Sequence, residues 1–254
     1  MSAVPMPRFF LAAVLWLPAM FFIWVYWSSV FMLPSSLAAQ SVLRGQPALF
    51  ADVWRGFPRH LIDPGATLPT GPGAPTEGRT ARDDHLLVLR FSEQAMPDAM
   101  RAEKRSTGEE PLPVVNTMKY GYGLALIWGL VMATPLGTRR RLAQMLAGWL
   151  AVSVVQAFGA VTGAWVVALQ FLGADALRGA GLAPEAVALA YQLGYLILPA
   201  VVPVVLWMLM NRRLVEDLAR PAAAEPAAPA PVPAPPDPDA PGRAATRNEP
   251  DGRG

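Results

Sequence analysis

Few side chains in this 254-residue chain could take part in catalysis. The sequence contains no cysteine and two histidines, His60 and His85, which excludes thiol nucleophiles, disulfides and thiolate metal sites. Neither histidine has a second ligand at the short spacing of a zinc site. Asp63, Asp83 and Asp84 lie near them in sequence, so an enzyme acting at a membrane interface is one reading. No nucleophile and base stand at a defining spacing, and we predict no enzyme, no metal site and no cofactor.

The densest polar and aromatic cluster, residues 116–123, favours contacts between proteins. Its sequence is Asn-Thr-Met-Lys-Tyr-Gly-Tyr-Gly. Lys119 can extend its charge towards water while the two tyrosines lie at a membrane interface. The glycines allow another backbone to approach closely. We therefore predict a partner contact at Asn116, Lys119, Tyr120 and Tyr122.

A stripe of uncharged residues follows the third hydrophobic segment. Trp149, Gln156, Gly163 and Gln170 recur every seven residues, and Gly159 lies between the second and third of them. This spacing places all five near one face of a helix, and the Gly-x-x-x-Gly pair lets a second helix approach closely. The stripe predicts a helix–helix seam with hydrogen-bonding glutamines. A functional polar groove is the alternative.

The fourth hydrophobic segment carries a second polar group. Tyr191, Gln192 and Tyr195 lie in its first half, and Pro199 and Pro203 lie at its middle. Each proline removes a backbone donor and crowds the preceding turn, so we predict a kinked helix. Such a helix either lines a cavity or fits the shape of its neighbours.

Four long hydrophobic stretches must position these residues. They are Phe9–Leu33, 119–137, 142–174 and 186–211, and a helix needs about 20 apolar residues to cross a bilayer. The composition agrees, with 53% hydrophobic and 16% charged residues. The length of the first stretch favours an uncleaved anchor, residues 1–33, over a signal peptide. No ionisable residue lies deep in any stretch, which argues against a proton relay or an intramembrane protease.

The arginines predict the orientation of the four spans. Three arginines fall in a short loop, 138–141, and more begin the tail, 212–254. Basic residues in short flanks stay in the cytoplasm, so we expect both termini inside, with the segment 34–118 and the loop 175–185 outside. The net charge of +2 is too small to indicate a nucleic-acid partner.

The segment between the first two spans is predicted to be loosely organised. Residues 35–57 show helical spacing, which suits a helix on the membrane surface or one packed on the rest of the segment. Residues 64–82 are a Gly/Pro-rich connector. The apolar runs 85–91 and 113–116 could pair as a β-hairpin, with the charged stretch 98–110 as its loop.

The fold class predicted is an all-α membrane protein with about four spans and this extracytoplasmic segment. The tail holds nine prolines between residues 221 and 241, so we expect a disordered, Ala/Pro-rich extension.

Three blocks of the chain resemble the exosortase H-associated membrane proteins. They are Arg8–Pro18, Val115–Leu124 and Tyr191–Arg213, within a resemblance that covers most of residues 7–215. The middle block is similar to the pattern Asn-Pro-Leu-x-Tyr-x-Tyr-Gly-Leu. Here Thr117-Met118 replaces Pro-Leu.

The resemblance implies a location in the bacterial inner membrane, beside an exosortase-type enzyme that cuts and transfers proteins with a C-terminal sorting signal. Those enzymes use Cys, His and Arg, so a chain without cysteine is not the transpeptidase. We expect an accessory subunit that contacts the enzyme or its cargo as well as membrane lipid. The alternative is a small transporter or channel without charge coupling, with Gln156, Gln170 and Gln192 along its path.

Overall fold

The computed structural model of the chain describes residues 6–56, 85–108 and 110–219. Its helices are α1 Met6–Tyr26, α2 Ser28–Phe31, α3 Leu33–Arg44, α4 Asp98–Thr107, α5 Tyr122–Ala133, α6 Thr138–Leu172, α7 Ala174–Gly179, α8 Pro184–Gln192, α9 Leu198–Met210 and α10 Arg212–Ala219. Its strands are β1 Phe50–Arg55, β2 Leu86–Phe91 and β3 Val114–Asn116. A 3₁₀ turn, Thr117–Tyr120, precedes α5, and a π turn, Leu193–Ile197, joins α8 to α9.

Three helical stretches in the described residues are long and apolar enough to cross a membrane. They are Arg8–Tyr26, Thr138–Leu172 and Pro184–Met210, which match the first, third and fourth predicted spans. The second predicted span contains only the 12-residue helix α5. At 1.5 Å per residue α5 is about 18 Å long, shorter than the ~30 Å hydrocarbon core. The structure therefore supports three candidate spans and one short apolar helix.

Helix α5 lies among longer helices. Seven of its twelve residues are buried. They pack against α1, α9 and the first half of α6 in one apolar cluster, which we call the α5 bundle. Its fully or nearly fully buried members include Trp24, Leu124, Ile127 and Val131.

The described strands form one antiparallel sheet of order β1-β2-β3. Leu87 lies opposite Val115, so the predicted hairpin between 85–91 and 113–116 is confirmed. Strand β1 was not predicted, and the helix expected over 35–57 ends at Arg44. Val53 pairs with Leu89, and pairing along β2 outweighs the local helical spacing of this stretch.

The stretch 98–110, predicted as a loop, contains helix α4. Asp98 provides a carboxylate in the first turn, where the helix dipole favours negative charge. Lys104 and Arg105 lie in the last turn, and Gly108 ends the helix at φ 71°. Only Ala99, Met100 and Ala102 of its ten residues are apolar, so its apolar face is small and charged residues dominate the stretch.

The sheet packs on the second half of α6. A stripe of small residues on α6, Ala160, Ala164 and Ala168, belongs to the same buried cluster as side chains of α3 and of all three strands. We call α3, α4, the sheet and this part of α6 the sheet module. Helix α3 packs here through Ala39 and Leu43, which are fully buried. Two predictions were made for this helix. Packing against other parts of the protein is favoured over lying only on the membrane surface.

Several predicted boundaries also change. Helix α1 ends at Tyr26, so the first span is shorter than Phe9–Leu33. The three arginines of the predicted loop 138–141 lie in the first turn of α6. Helix α7 occupies part of the loop 175–185, and the tail begins as helix α10. Residues 220–254 and the connector 64–82 lie outside the described residues.

Candidate interaction site

The site starts where strand β3 turns into the 3₁₀ turn. The side-chain oxygen of Asn116 accepts a hydrogen bond from the backbone nitrogen of Met118 at 2.9 Å, which caps the turn. Thr117 is fully buried, and both its backbone nitrogen and its hydroxyl donate to the carbonyl of His85, at 3.0 and 2.6 Å. A proline at position 117 could not make the first of these bonds. Thr117 therefore anchors the turn to the start of β2.

This anchor directs Tyr120 into a notch on α6 that is formed at Gly159 and Gly163. A Cβ atom added to Gly159 would lie 2.6 Å from Cδ1 of Tyr120, and one added to Gly163 would overlap the Tyr120 hydroxyl. Both positions must therefore be glycine for the ring to fit. The pair was predicted to receive a second helix. It receives the side chain of Tyr120, which is only 2% exposed, and Gly159 also meets the backbone of the Leu193–Ile197 turn.

The same notch brings α6 close to the π turn. The carbonyl of Gly194 would lie 3.1 Å from a Cβ on Gly159. Pro199, which follows the π turn, has no N–H to donate to the carbonyl of Tyr195. The wider π turn occurs where the α-helical bond is missing, and such turns are frequent at functional sites. The region of the predicted kink therefore contains a π turn, and the kink itself stays a prediction.

Three tyrosines lead from this notch to the surface. The rings of Tyr120 and Tyr195 meet edge to face, with centroids 6.2 Å apart. Tyr191 stacks on Tyr195 at 5.7 Å with the ring planes 4° apart. Tyr195 is 38% exposed, and Lys119 and Gln192 are exposed. We call Tyr120, Tyr191 and Tyr195 the tyrosine cluster; Tyr122, at the start of α5, is half-buried.

The residues that recur every seven positions on α6 differ in how far they are buried. Trp149 donates to the carbonyl of Phe31 at 3.1 Å. Gln156 is fully buried and its amide nitrogen lies 3.4 Å from the carbonyl of Gly121, a long hydrogen bond. Gln170 is exposed. A seven-residue repeat drifts by about 20° per step on a straight helix, which turns the last glutamine away from the bundle.

The three glutamines of the predicted path therefore do not line one channel. Gln156 is buried, while Gln170 and Gln192 are exposed. The side-chain oxygen of Gln156 and the indole nitrogen of Trp24 are both buried without a hydrogen-bond partner among the described residues. Both flank Gly121, where the 3₁₀ turn passes into α5.

A separate cavity of about 660 Å³ lies between the end of α1 and the start of β2. Its lining is mainly aromatic and apolar and includes Tyr26, Trp27, His85 and Met118. The Nδ1 atom of His85 is buried without a partner among the described residues. His60 and the acids Asp63, Asp83 and Asp84 lie outside those residues. Within them, no three His, Asp or Glu side chains gather as a possible metal site.

Sequence reasoning missed three features of this site. It did not identify the anchor at Thr117, the contact of Gly194 with α6, or the cavity beside His85. The replacement of Pro-Leu by Thr117-Met118 was the available signal for the first. The other two depend on contacts between distant parts of the chain.

A family model described as exosortase H-associated membrane protein matches residues 3–214. Neither the comparison with curated proteins nor that with solved structures gave a match. The matched range includes the α5 bundle, the sheet module and the tyrosine cluster.

Proposed function

The chain belongs to the exosortase H-associated membrane protein family, and on that premise we propose that it is a non-catalytic accessory subunit of an exosortase-type sorting system. It contacts the sorting enzyme or the enzyme's cargo. The observation that carries the proposal is the family match, which extends over nearly all of the described residues. A membrane protein with three candidate spans fits a role beside a membrane enzyme.

The site supports a role in binding. Its buried part is occupied by contacts within the chain, since Tyr120 fills the notch on α6. Its exposed residues are Lys119, Gln192 and Tyr195, and Tyr191 stacks on Tyr195. Tyrosines are enriched in protein interfaces because a large, rigid ring buries much area and keeps a polar group. We assign these exposed residues as the edge that meets the partner.

The proposed orientation places this edge outside the cytoplasm, in the bacterial inner membrane. Arginines occur at the start of α6 and just after α9, and such flanks stay in the cytoplasm. The sheet module packs on the opposite end of α6. With α5 as the return crossing between the first span and α6, both termini would be cytoplasmic. The sheet module would then face the compartment in which sorted proteins are processed.

The first test follows a tagged cargo protein with a C-terminal sorting signal, in cells with and without this chain. We expect uncleaved precursor to accumulate in the deletion strain and to mature when the chain is restored. Normal maturation of the cargo in the deletion strain would contradict the accessory role.

The second test locates the contact. A photo-crosslinking residue is placed at Tyr195, and a matched one at Val154, an exposed position on α6. We expect crosslinks to the sorting enzyme or to the tagged cargo from position 195 and none from position 154. Equal crosslinking at both positions, or crosslinking at 154 alone, would contradict the assigned edge.

No specific contact supports the hypothesis of a transporter or channel, because one of its three glutamines is buried and the other two are exposed.

A further inference from the structure

Arginines lie at the same end of all three candidate spans. Arg8 begins the first, Arg139–Arg141 lie in the first turn of α6, and Arg212–Arg213 directly follow α9. The ring of Phe9 stacks on that of Trp207, with centroids 5.6 Å apart, so the start of α1 lies beside the end of α9. We call these six residues the arginine end.

Hydrogen bonds hold the two main arginine runs side by side. The guanidinium of Arg140 donates to the carbonyl of Met210 at 3.1 Å. Gln144 and Asn211 exchange two side-chain hydrogen bonds of 3.1 Å, and both residues are buried. The start of α6 and the start of α10 therefore form one fixed surface.

The positive charge of this surface is not neutralised within the described residues. None of the six arginines forms an ion pair with a carboxylate there, and all but Arg141 are exposed. The Nε atom of Arg141 is buried without a hydrogen-bond partner in the described part of the chain. Nearby in sequence are only two acids, Glu216 and Asp217.

The arginine end lies at the depth of lipid headgroups. Large apolar side chains next to the arginines are exposed: Phe10 by 58% on α1, Leu142 by 61% on α6, and Leu209 by 52% on α9. Such side chains belong in hydrocarbon, so the arginines beside them stand at the bilayer surface. Headgroup phosphates are within reach there.

We propose that the arginine end is a binding site for anionic phospholipids, which it recognises through the headgroup phosphate. A guanidinium offers paired N–H donors that match phosphate oxygens, and it stays charged at any physiological pH. Two arginine runs on a fixed backbone present several such donors to one headgroup region. The inference does not rest on the proposed role in sorting.

The test measures lipid binding to the purified full-length chain. Phosphatidylglycerol or phosphatidylcholine is titrated into the detergent-solubilised protein, and bound lipid is counted by native mass spectrometry. The test variant is R139Q/R212Q/R213Q, which leaves the Arg140–Met210 bond intact. The control is R44Q/R105Q/R178Q, which removes the same charge from exposed positions elsewhere.

We expect the wild type and the control to prefer phosphatidylglycerol. Each basic residue near an anionic surface contributes on the order of fivefold in affinity, so the test variant should lose at least tenfold of that preference. Thermal melting in detergent confirms that both variants remain folded. If the melt shows the triple variant unfolded, single R212Q and R213Q variants replace it, each with an expected loss of about fivefold.

Three results would overturn the proposal. The first is equal binding of the two lipids by the wild type. The second is an equal loss in test and control variants, which would show an effect of net charge alone. The third is displacement of the lipid by millimolar inorganic phosphate, which would indicate a site for free phosphate.

Discussion

The sheet module and the α5 bundle are stabilised by different kinds of contact. In the sheet module, large apolar side chains such as Leu87, Leu89 and Phe91 are fully buried in the cluster shared by α3, the sheet and α6. In the bundle, the most apolar windows of α1 and of α8–α9 are only 22% buried, whereas that of α6 is 56% buried. The outer helices of the bundle thus keep most of their apolar surface outside the protein.

This difference follows from the solvent around each region. Apolar burial stabilises a structure that faces water, but it offers little between helices that are already in lipid. Helices in lipid associate through close approach and hydrogen bonds. In the bundle, Gly123 lies so close to Pro199 that a Cβ would be 2.5 Å from the proline carbonyl. Helix α6 joins the two regions, because its first half packs in the bundle and its second half under the sheet.

The largest expected effect comes from emptying the core of the sheet module. Phe91→Ala removes a fully buried ring and should cost about 3–5 kcal/mol in the free energy of unfolding. The matched change Phe10→Ala, at a ring that is 58% exposed on α1, should cost far less. Denaturant unfolding of the full chain in detergent measures both. Similar losses at the two sites would remove the distinction between the regions.

The second-largest effect is expected at the notch on α6, which lies between the α5 bundle and the sheet module. Gly163→Ala should destabilise the chain by about 1–3 kcal/mol, because its Cβ overlaps the Tyr120 hydroxyl. Tyr120→Phe removes that hydroxyl, so it should restore stability to Gly163→Ala. It should not restore Gly159→Ala, whose Cβ meets the ring carbons and the Gly194 carbonyl. Thermal melts of the single and double variants decide this, and equal rescue at both glycines would refute the fit.

In the sheet module, the sequence predicts two of the three described strands. The runs 85–91 and 113–116 are short, apolar and rich in Val and Leu, and they do form paired strands. Strand β1 was missed because its partner β2 lies more than thirty residues away and its own spacing looks helical. Local pattern therefore predicts an element only where the element is stabilised mainly by its own periodicity.

The notch could not be predicted from spacing. The Gly159-x-x-x-Gly163 pair indicates a close approach, and a close approach exists, but the sequence does not say whether a helix or a side chain fills it. The anchor of Thr117 to His85, 32 residues away in sequence, helps to direct Tyr120 there. The sequence analysis placed Tyr120 in one group and Tyr191 and Tyr195 in another, and their meeting depends on these long-range bonds.

A smaller effect is expected inside the bundle. The paired amides of Gln144 and Asn211 are buried, yet hydrogen bonds between helices in lipid contribute only about 0.6 kcal/mol on average. A double-mutant cycle with Gln144→Ala and Asn211→Ala should give a coupling energy near that value. A coupling above about 2 kcal/mol would exceed the usual range in lipid and would make the bundle resemble the sheet module.

The smallest effect belongs to the surface of the sheet module, where α4 is tied to the strands by charge. Lys104 lies 2.9 Å from Glu93 and 3.4 Å from Glu110. The hydrogen bond from Lys104 lowers the pKa of Glu93 below its ordinary value of 4.5. A lowered pKa in the folded state stabilises the fold above pH 4.5, and this contribution is lost as the pH falls through the lowered value.

The change that tests this pair is Glu93→Gln, with Glu103→Gln, at an exposed carboxyl on α4, as the control. Glu93→Gln should lower the melting temperature slightly at pH 7, and the difference from wild type should shrink as the pH is lowered below 4.5. Glu103→Gln should show neither change. Exposed pairs contribute little because water and salt screen them. A large loss at pH 7 would mean that α4 is held by its charges, and the sheet module would then depend on more than the apolar burial that separates it from the bundle.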